Sequence, residues 1–170
     1  MNKTLRFSIV LLALAVLIAS CGKTPNKQSA GTLTGSMDEA YKYAQTQYGD
    51  NVTLALKGDI NANKKDDALA IVVNKQYDTN RYWIQKGSVI EKDGDSWKTI
   101  LWMDNKLRST KGDLIPQEEA KNGYIVRFDT KSSPVNLYIS MSDENGRPAS
   151  DEAVIKWNSS ASVYEISTSQ

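Results

Sequence analysis

Histidine is absent from the 170-residue chain and cysteine occurs once. Without an imidazole there is no Ser-His or Cys-His catalytic pair and no histidine metal ligand. A single thiol excludes an intramolecular disulfide and a zinc site built on thiolates. An excess of one charge is lacking too: 21 Lys plus Arg stand against 20 Asp plus Glu, a formal +1. That balance argues against a nucleic-acid binder that works through a basic face. A Gly-rich phosphate loop, a Walker motif and a Gly-x-Ser-x-Gly elbow are also missing. What remains is an ordinary globular composition, 40% hydrophobic and 24% charged, of a length that suits one domain.

The main apolar run, Phe7 to Ile18, is shorter than the roughly 20 residues that span a bilayer. Lys3 and Arg6 precede it, and the small residues Ala19 and Ser20 follow, just before Cys21. A basic start, a short apolar run and small residues form an export signal. Ile18-Ala19-Ser20-Cys21 resembles the lipobox of bacterial lipoproteins, with Ile18 where Leu is commonest. The resemblance implies cleavage before Cys21, a diacylglycerol on its thiol and acylation of the new amine. Two or more chains hold a protein stably on a membrane, whereas one binds only marginally. The alternative is a plain cleaved signal that leaves a secreted protein with a spare thiol. Gly22 follows the cysteine where an Asp would signal retention at the inner membrane, so the family rule implies the outer membrane. The outer face of the cytoplasmic membrane is the alternative location.

The expected organisation is a signal peptide over 1–20, a lipidated cysteine with a flexible tether over 21–35, and one globular domain over 36–170. Loss of Lys3 and Arg6 with the signal leaves 19 basic and 20 acidic side chains, or −1. The tether is rich in Gly, Lys, Thr, Pro, Asn, Gln, Ser and Ala, too polar to pack. Ser36-Met37-Asp38-Glu39 reads as a capping box, and Met37, Ala40, Tyr41, Ala44 and Tyr48 recur at helical spacing before Gly49. A helix over Met37–Tyr48 follows. The rest reads as strands. Ala68–Val73 is continuously apolar, as in a strand covered on both faces. Lys92-Asp93-Gly94-Asp95 marks a hairpin; pairing Glu91 with Ser96 sets Ile90 opposite Trp97, Ile84 opposite Met103 and Gln85 opposite Trp102. Asp104–Asn122 is polar and carries no long helix, and strands resume near Tyr124, Val135, Ala153 and Val163. The expected fold is α+β, mostly β, with one N-terminal helix packed on an antiparallel sheet of about seven or eight strands. An open curled sheet and a small barrel fit the pattern equally.

One segment carries chemistry. Asp59, Asn61, Asn63 and Asp67 occupy positions 1, 3, 5 and 9 of a loop that leads into an apolar strand. Alternate oxygens of a tight loop converge on a hard cation, and position 7, here Lys65, contributes only its backbone carbonyl. The run resembles the calcium loop of FG-GAP and VCBS-type repeats. It departs from them at Asn63, where an acid is usual, and at Lys64, where Gly is usual. Ala70 at position 12 rules out an EF-hand. The competing reading is a hydrated Asx-rich turn. Ser142–Asp151 echoes the spacing with Asp143, Asn145 and Asp151, but Arg147 opposes a cation there.

Trp83, Trp97, Trp102 and Trp157 suit either a core or a sugar-stacking face. The functional expectation is a lipid-anchored, non-catalytic binding or structural domain that meets another envelope protein or a glycan. It requires no cofactor and does not bind nucleic acid. The alternatives are a calcium-dependent binding module built on the Asp59–Asp67 loop and a carboxylate-based hydrolase.

Overall fold

Ala40 and Ala44 lie one helical turn apart and, with Met37, form the buried stripe of α1 (Gly35–Tyr48). A helix of this length is marginal in isolation. Its stability comes from packing that stripe on Val52, Ala68, Ala70, Ile90 and Trp97. Gly49 ends it as expected: φ is +79°, in the left-handed region, and its N–H donates to the Gln45 carbonyl at 2.8 Å. The start departs from the capping-box expectation. Ser36 Oγ donates to Asp66 Oδ2 at 2.7 Å, and Lys92 Nζ pairs with Glu39 Oε2 at 3.2 Å. Charged partners, Asp66 at the end of the loop before β2 and Lys92 in β3, draw both side chains outward and pin the helix start to the sheet.

The computed structural model describes residues 35–115 and 119–167. The export signal, Cys21 and the tether up to residue 34 lie outside the described residues. Among the described residues ten strands follow α1: β1 (Val52–Gly58), β2 (Asp67–Asp78), β3 (Arg81–Asp93), β4 (Ser96–Met103), β5 (Leu107–Ser109), β6 (Gly112–Asp113), β7 (Tyr124–Asp129), β8 (Asn136–Met141), β9 (Ala153–Asn158) and β10 (Val163–Ile166). The α+β, mostly β class is as expected. The strands beyond seven or eight are β5 and β6, which lie in the polar stretch Asp104–Asn122 and have Leu107 as their buried apolar anchor.

All strand pairs are antiparallel, in the order β10-β9-β8-β7-β3-β4-β5-β6, with β2 on the other edge of β3 and β1 beyond β2. The 13 residues of β3 create a fork. One of its edges pairs with β2 from Arg81 to Glu91. The other pairs with β7 over Arg81–Ile84 and with β4 from Gly87 to Asp93. The sheet curls until β10 lies against β4 and β5, and the described residues form no hydrogen-bonded ladder between β10 and β5. The result is a curled sheet just short of a barrel. Leu69, Ile71, Val89, Leu101, Leu137 and Ile155 fill its interior. Ala68 and Ala70, on the opposite face of β2, meet the helix. Ala68–Ile71 is thus covered on both sides, whereas Val72 and Val73 are half-buried, and the interior side chains contribute about 1.5–3 kcal/mol each.

The hairpin register differs from the expectation. Asp93 pairs with Ser96 and Glu91 with Lys98, so Trp97 lies opposite Lys92; farther along, Met103 meets Gly87 and Trp102 meets Ser88. Gly94 adopts a φ of +61°, which lets a two-residue Gly94-Asp95 turn close the strands where four residues were expected. A bulge between Val89 and Ile90 shifts the ladder once more. Ile90 and Trp97 still share the core under the helix.

Candidate functional site

Asp67 opens β2 directly opposite Glu91 of β3, at the end of the interior row formed by Leu69 with Val89 and Ile71 with Gly87. Two acids thus close one end of the apolar interior. Like charges opposite each other in a sheet destabilise unless something compensates. The Asp59–Asp67 loop supplies the compensation.

Each predicted loop residue has a definite task. Asp59 accepts the N–H groups of Asn63 on Oδ1 and Lys64 on Oδ2, both at 2.9 Å. Asn61 Oδ1 accepts Asn63 N–H at 3.1 Å, and Asn63 Oδ1 accepts Lys65 N–H at 2.9 Å. These Asx turns hold Ala62 and Lys64 at φ of +59° and +69°. Lys64 therefore adopts the left-handed conformation for which calcium loops use Gly. Asp67 Oδ2 accepts Ile60 and Asn61 N–H at 3.0 and 3.1 Å.

Two residues that the loop pattern does not contain, Glu91 and Tyr164, join it, and Glu91 makes the direct contacts. Its Oε2 accepts the side-chain amides of Asn61, at 3.1 Å, and Asn63. Its Oε1 takes Lys65 Nζ at 3.0 Å and lies 3.6 Å from Lys98 Nζ. Burial works against the Glu91 charge, but the hydrogen bonds from Lys65, Asn61 and Asn63 prevail and hold the carboxyl below its usual range. Lys65 was expected to contribute its carbonyl alone; its ammonium group is also the nearest cation to Glu91.

Among the described residues, no such cation reaches Asp67. It is fully buried, and its Oδ1 has no hydrogen-bond partner among the described residues. Burial, reinforced by the charges of Glu91 and Asp59, outweighs the two backbone hydrogen bonds and pushes the carboxyl up to about 7. Tyr164 of β10 is equally buried and its hydroxyl is also unpartnered. Burial, then the fields of Asp67, Glu91 and Asp59, push that hydroxyl up. Trp157 packs edge-on against the Tyr164 ring, with centroids 5.2 Å apart. A cavity of about 470 Å³ adjoins the loop, lined by Asn63, Lys65, Glu91, Lys98, Thr110 and Trp157 among others.

The five predicted residues Asp59, Asn61, Asn63, Lys65 and Asp67 therefore form one cluster, completed by Glu91 and Tyr164. Hard cations take oxygen donors, and Asp59, Asn61, Asp67, Glu91 and Tyr164 carry them. Among the described residues, no group of three or more His, Cys, Asp or Glu side chains comes together in metal-holding geometry. The sequence held one cue to Glu91: Val89 and Glu91 are two apart, so an interior Val89 implies an interior Glu91. The Ser142–Asp151 loop is closed on itself, with Asp143 Oδ1 accepting Asn145 and Arg147 N–H at 2.8 Å.

The tryptophans share no platform. Trp97 is core, Trp102 lies under the Arg108 guanidinium, and Trp83 and Trp157 line different cavities. Among the described residues, no helix is long and apolar enough to cross a membrane. No protein-family model matches the chain, and no curated protein or solved structure matches it.

Proposed function

We propose that the chain is a lipid-anchored protein of the bacterial envelope whose folded part is a non-catalytic binding domain. The observation that carries this reading is the lipobox-like Ile18-Ala19-Ser20-Cys21 behind a short apolar run and a basic start. Cys21 is the acylated residue, and Gly22 favours the outer membrane. The state of the paired acids supports a binding role over hydrolysis. Asp67 is fully buried and bonded to backbone amides of the loop, and Glu91, although it lines the adjoining cavity, is held by Lys65, Asn61 and Asn63, so the pair serves to hold the loop. Metabolic labelling with a radioactive fatty acid tests the anchor. Wild-type protein is expected to carry label and Cys21→Ala to carry none; equal labelling of both removes the reading.

A second reading, calcium-dependent binding, is favoured by the unpartnered Asp67 Oδ1 beside an unpartnered Tyr164 hydroxyl. A cation there would offset the burial, and the charges of Glu91 and Asp59, that raise Asp67. With Lys65 on Glu91 the affinity belongs in the weak range of extracellular modules, about 10⁻⁴–10⁻³ M. At one hundred times Kd, binding to the native state adds about 2.7 kcal/mol. Thermal melts of the full chain with calcium are expected to rise with concentration. A combined Asp59→Asn and Asp67→Asn variant keeps acceptors for the loop amides while removing two charges, so its melting temperature stays constant. A calcium shift that survives in this variant puts the ion elsewhere.

A further inference from the structure

The fork in β3 leaves Gln85 and Lys86 between the last residue paired with β7, Ile84, and the first paired with β4, Gly87. A cleft of about 690 Å³ opens there, bounded by Asp104 and Asn105 beyond β4 and by Asn122 and Gly123 ahead of β7. That volume is in the range of small-ligand sites. Its floor is fixed by a close backbone approach. A Cβ on Gly123 would lie 2.0 Å from the Ile84 carbonyl oxygen, and φ there is +81°.

Trp83, in the same cleft, is held from two sides. Its Nε1–H donates to the Asn122 carbonyl at 2.9 Å, an oxygen that also accepts Ser142 Oγ at 2.7 Å. Gly146 packs against the indole so closely that a Cβ would lie 2.4 Å from a ring carbon. The Ser142–Asp151 loop thus serves as a brace for this ring. Such an aromatic is preorganised, and a ligand spends little conformational entropy on ordering it.

The rest of the lining is amide-rich. Asn74, Gln85, Asn105 and Asn122 are all exposed. Each side-chain amide both donates and accepts, as a sugar hydroxyl does. The charges balance, Lys86 and Lys121 against Asp104 and Glu144. Two of them are already engaged: Asp104 with Arg108, and Lys86 over the Tyr48 ring at 5.6 Å. A net ionic ligand therefore finds no unbalanced countercharge. A fixed indole beside a ring of amides suits a molecule with an apolar C–H face and a rim of hydroxyls.

We infer that the cleft at the β3 fork binds an uncharged oligosaccharide, with Trp83 against the sugar ring and Gln85 and Asn105 on its hydroxyls. The inference rests on the proposed role as a binding domain and names its ligand class.

Calorimetric titration of the full chain, in an amine-oxide detergent that has no sugar headgroup, tests it with chitotetraose and cellotetraose as probes. At least one is expected to bind saturably, and Trp83→Ala to weaken it by at least about tenfold. Gln85→Ala and Asn105→Ala alter exposed side chains. They are expected to weaken binding severalfold with melting temperatures unchanged, which separates lost contacts from lost fold. No saturable heat from either sugar up to about 10 mM, far weaker than a specific site, overturns the inference. So does binding that ignores Gln85→Ala and Asn105→Ala. Saturable binding of trialanine without either sugar replaces the glycan with a peptide and also overturns it. Sugar binding by a chain whose Cys21 carries no lipid would remove the anchor and leave the cleft; lipid without sugar binding would do the reverse.

Discussion

Glu91→Ala is expected to lower the unfolding free energy by about 2–3 kcal/mol, chiefly through Asn61. Asn61 is 1% exposed, and its amide donates to Glu91 at 3.1 Å. Without that acceptor the buried amide is orphaned, at a cost of about 1–3 kcal/mol. Asn63 loses the same acceptor at a half-buried position and adds to the cost. The lysines contribute little, because Lys65 and Lys98 side chains are 44% and 45% exposed and recover their hydration. Lys65→Ala is accordingly expected to cost under about 1 kcal/mol. Urea unfolding of the full chain and both variants measures the difference. A Glu91→Ala loss no larger than that of Lys65→Ala would mean that the Asx turns hold the loop unaided.

Stability should fall as pH rises from about 4 to about 7, and Asp67→Asn should abolish that fall. Asp67 keeps its proton to about 7 in the folded protein, against an ordinary 3.8. Between those values the folded state binds the extra proton, so each added pH unit favours unfolding, by up to about 1.4 kcal/mol. The contribution is fully present below about 4 and lost as pH passes about 7, a total on the order of 2–4 kcal/mol. Groups on three other elements face Asp67: Glu91 on β3, Asp59 in the loop and Tyr164 on β10. Glu91 acts in the opposite sense. Its carboxyl is lowered, so its contribution is present above its ordinary value and is lost in acid. Asp67→Asn keeps an acceptor for Ile60 and Asn61 and carries no proton to lose. The variant should therefore be more stable than wild type at pH 8 and match it near pH 4. Parallel stability curves for the two proteins would refute a raised Asp67.

Much of the site was legible because Asx turns are local. Asp59, Asn61 and Asn63 bond to backbone two to five residues away, so their spacing along the chain predicts their grouping. Glu91 was not legible, because a strand residue's neighbours depend on which strand pairs with it and in what register. The expected hairpin placed Glu91 opposite Ser96, at the margin of a four-residue turn. The two-residue turn at Gly94 extends the strand past it, and β2 then sets it against Asp67. The capping box shows the same limit. Ser36 and Glu39 have the right spacing, yet Asp66, just ahead of β2, and Lys92 of β3 capture them.

The sequence by itself determined what short-range physics controls: the helix from its stripe at Met37, Ala40 and Ala44, its end at Gly49, the loop's Asx turns and the α+β, mostly β class. Only the tertiary structure decided that β3 serves β4 and β7 on one edge, that Asp67 and Glu91 share the end of an apolar interior, and that Trp83 stands fixed in a cleft of amides. Helical period and turn chemistry arise from contacts a few residues apart. Strand partners are chosen by burying two faces of one sheet at once, a condition that no segment can satisfy alone.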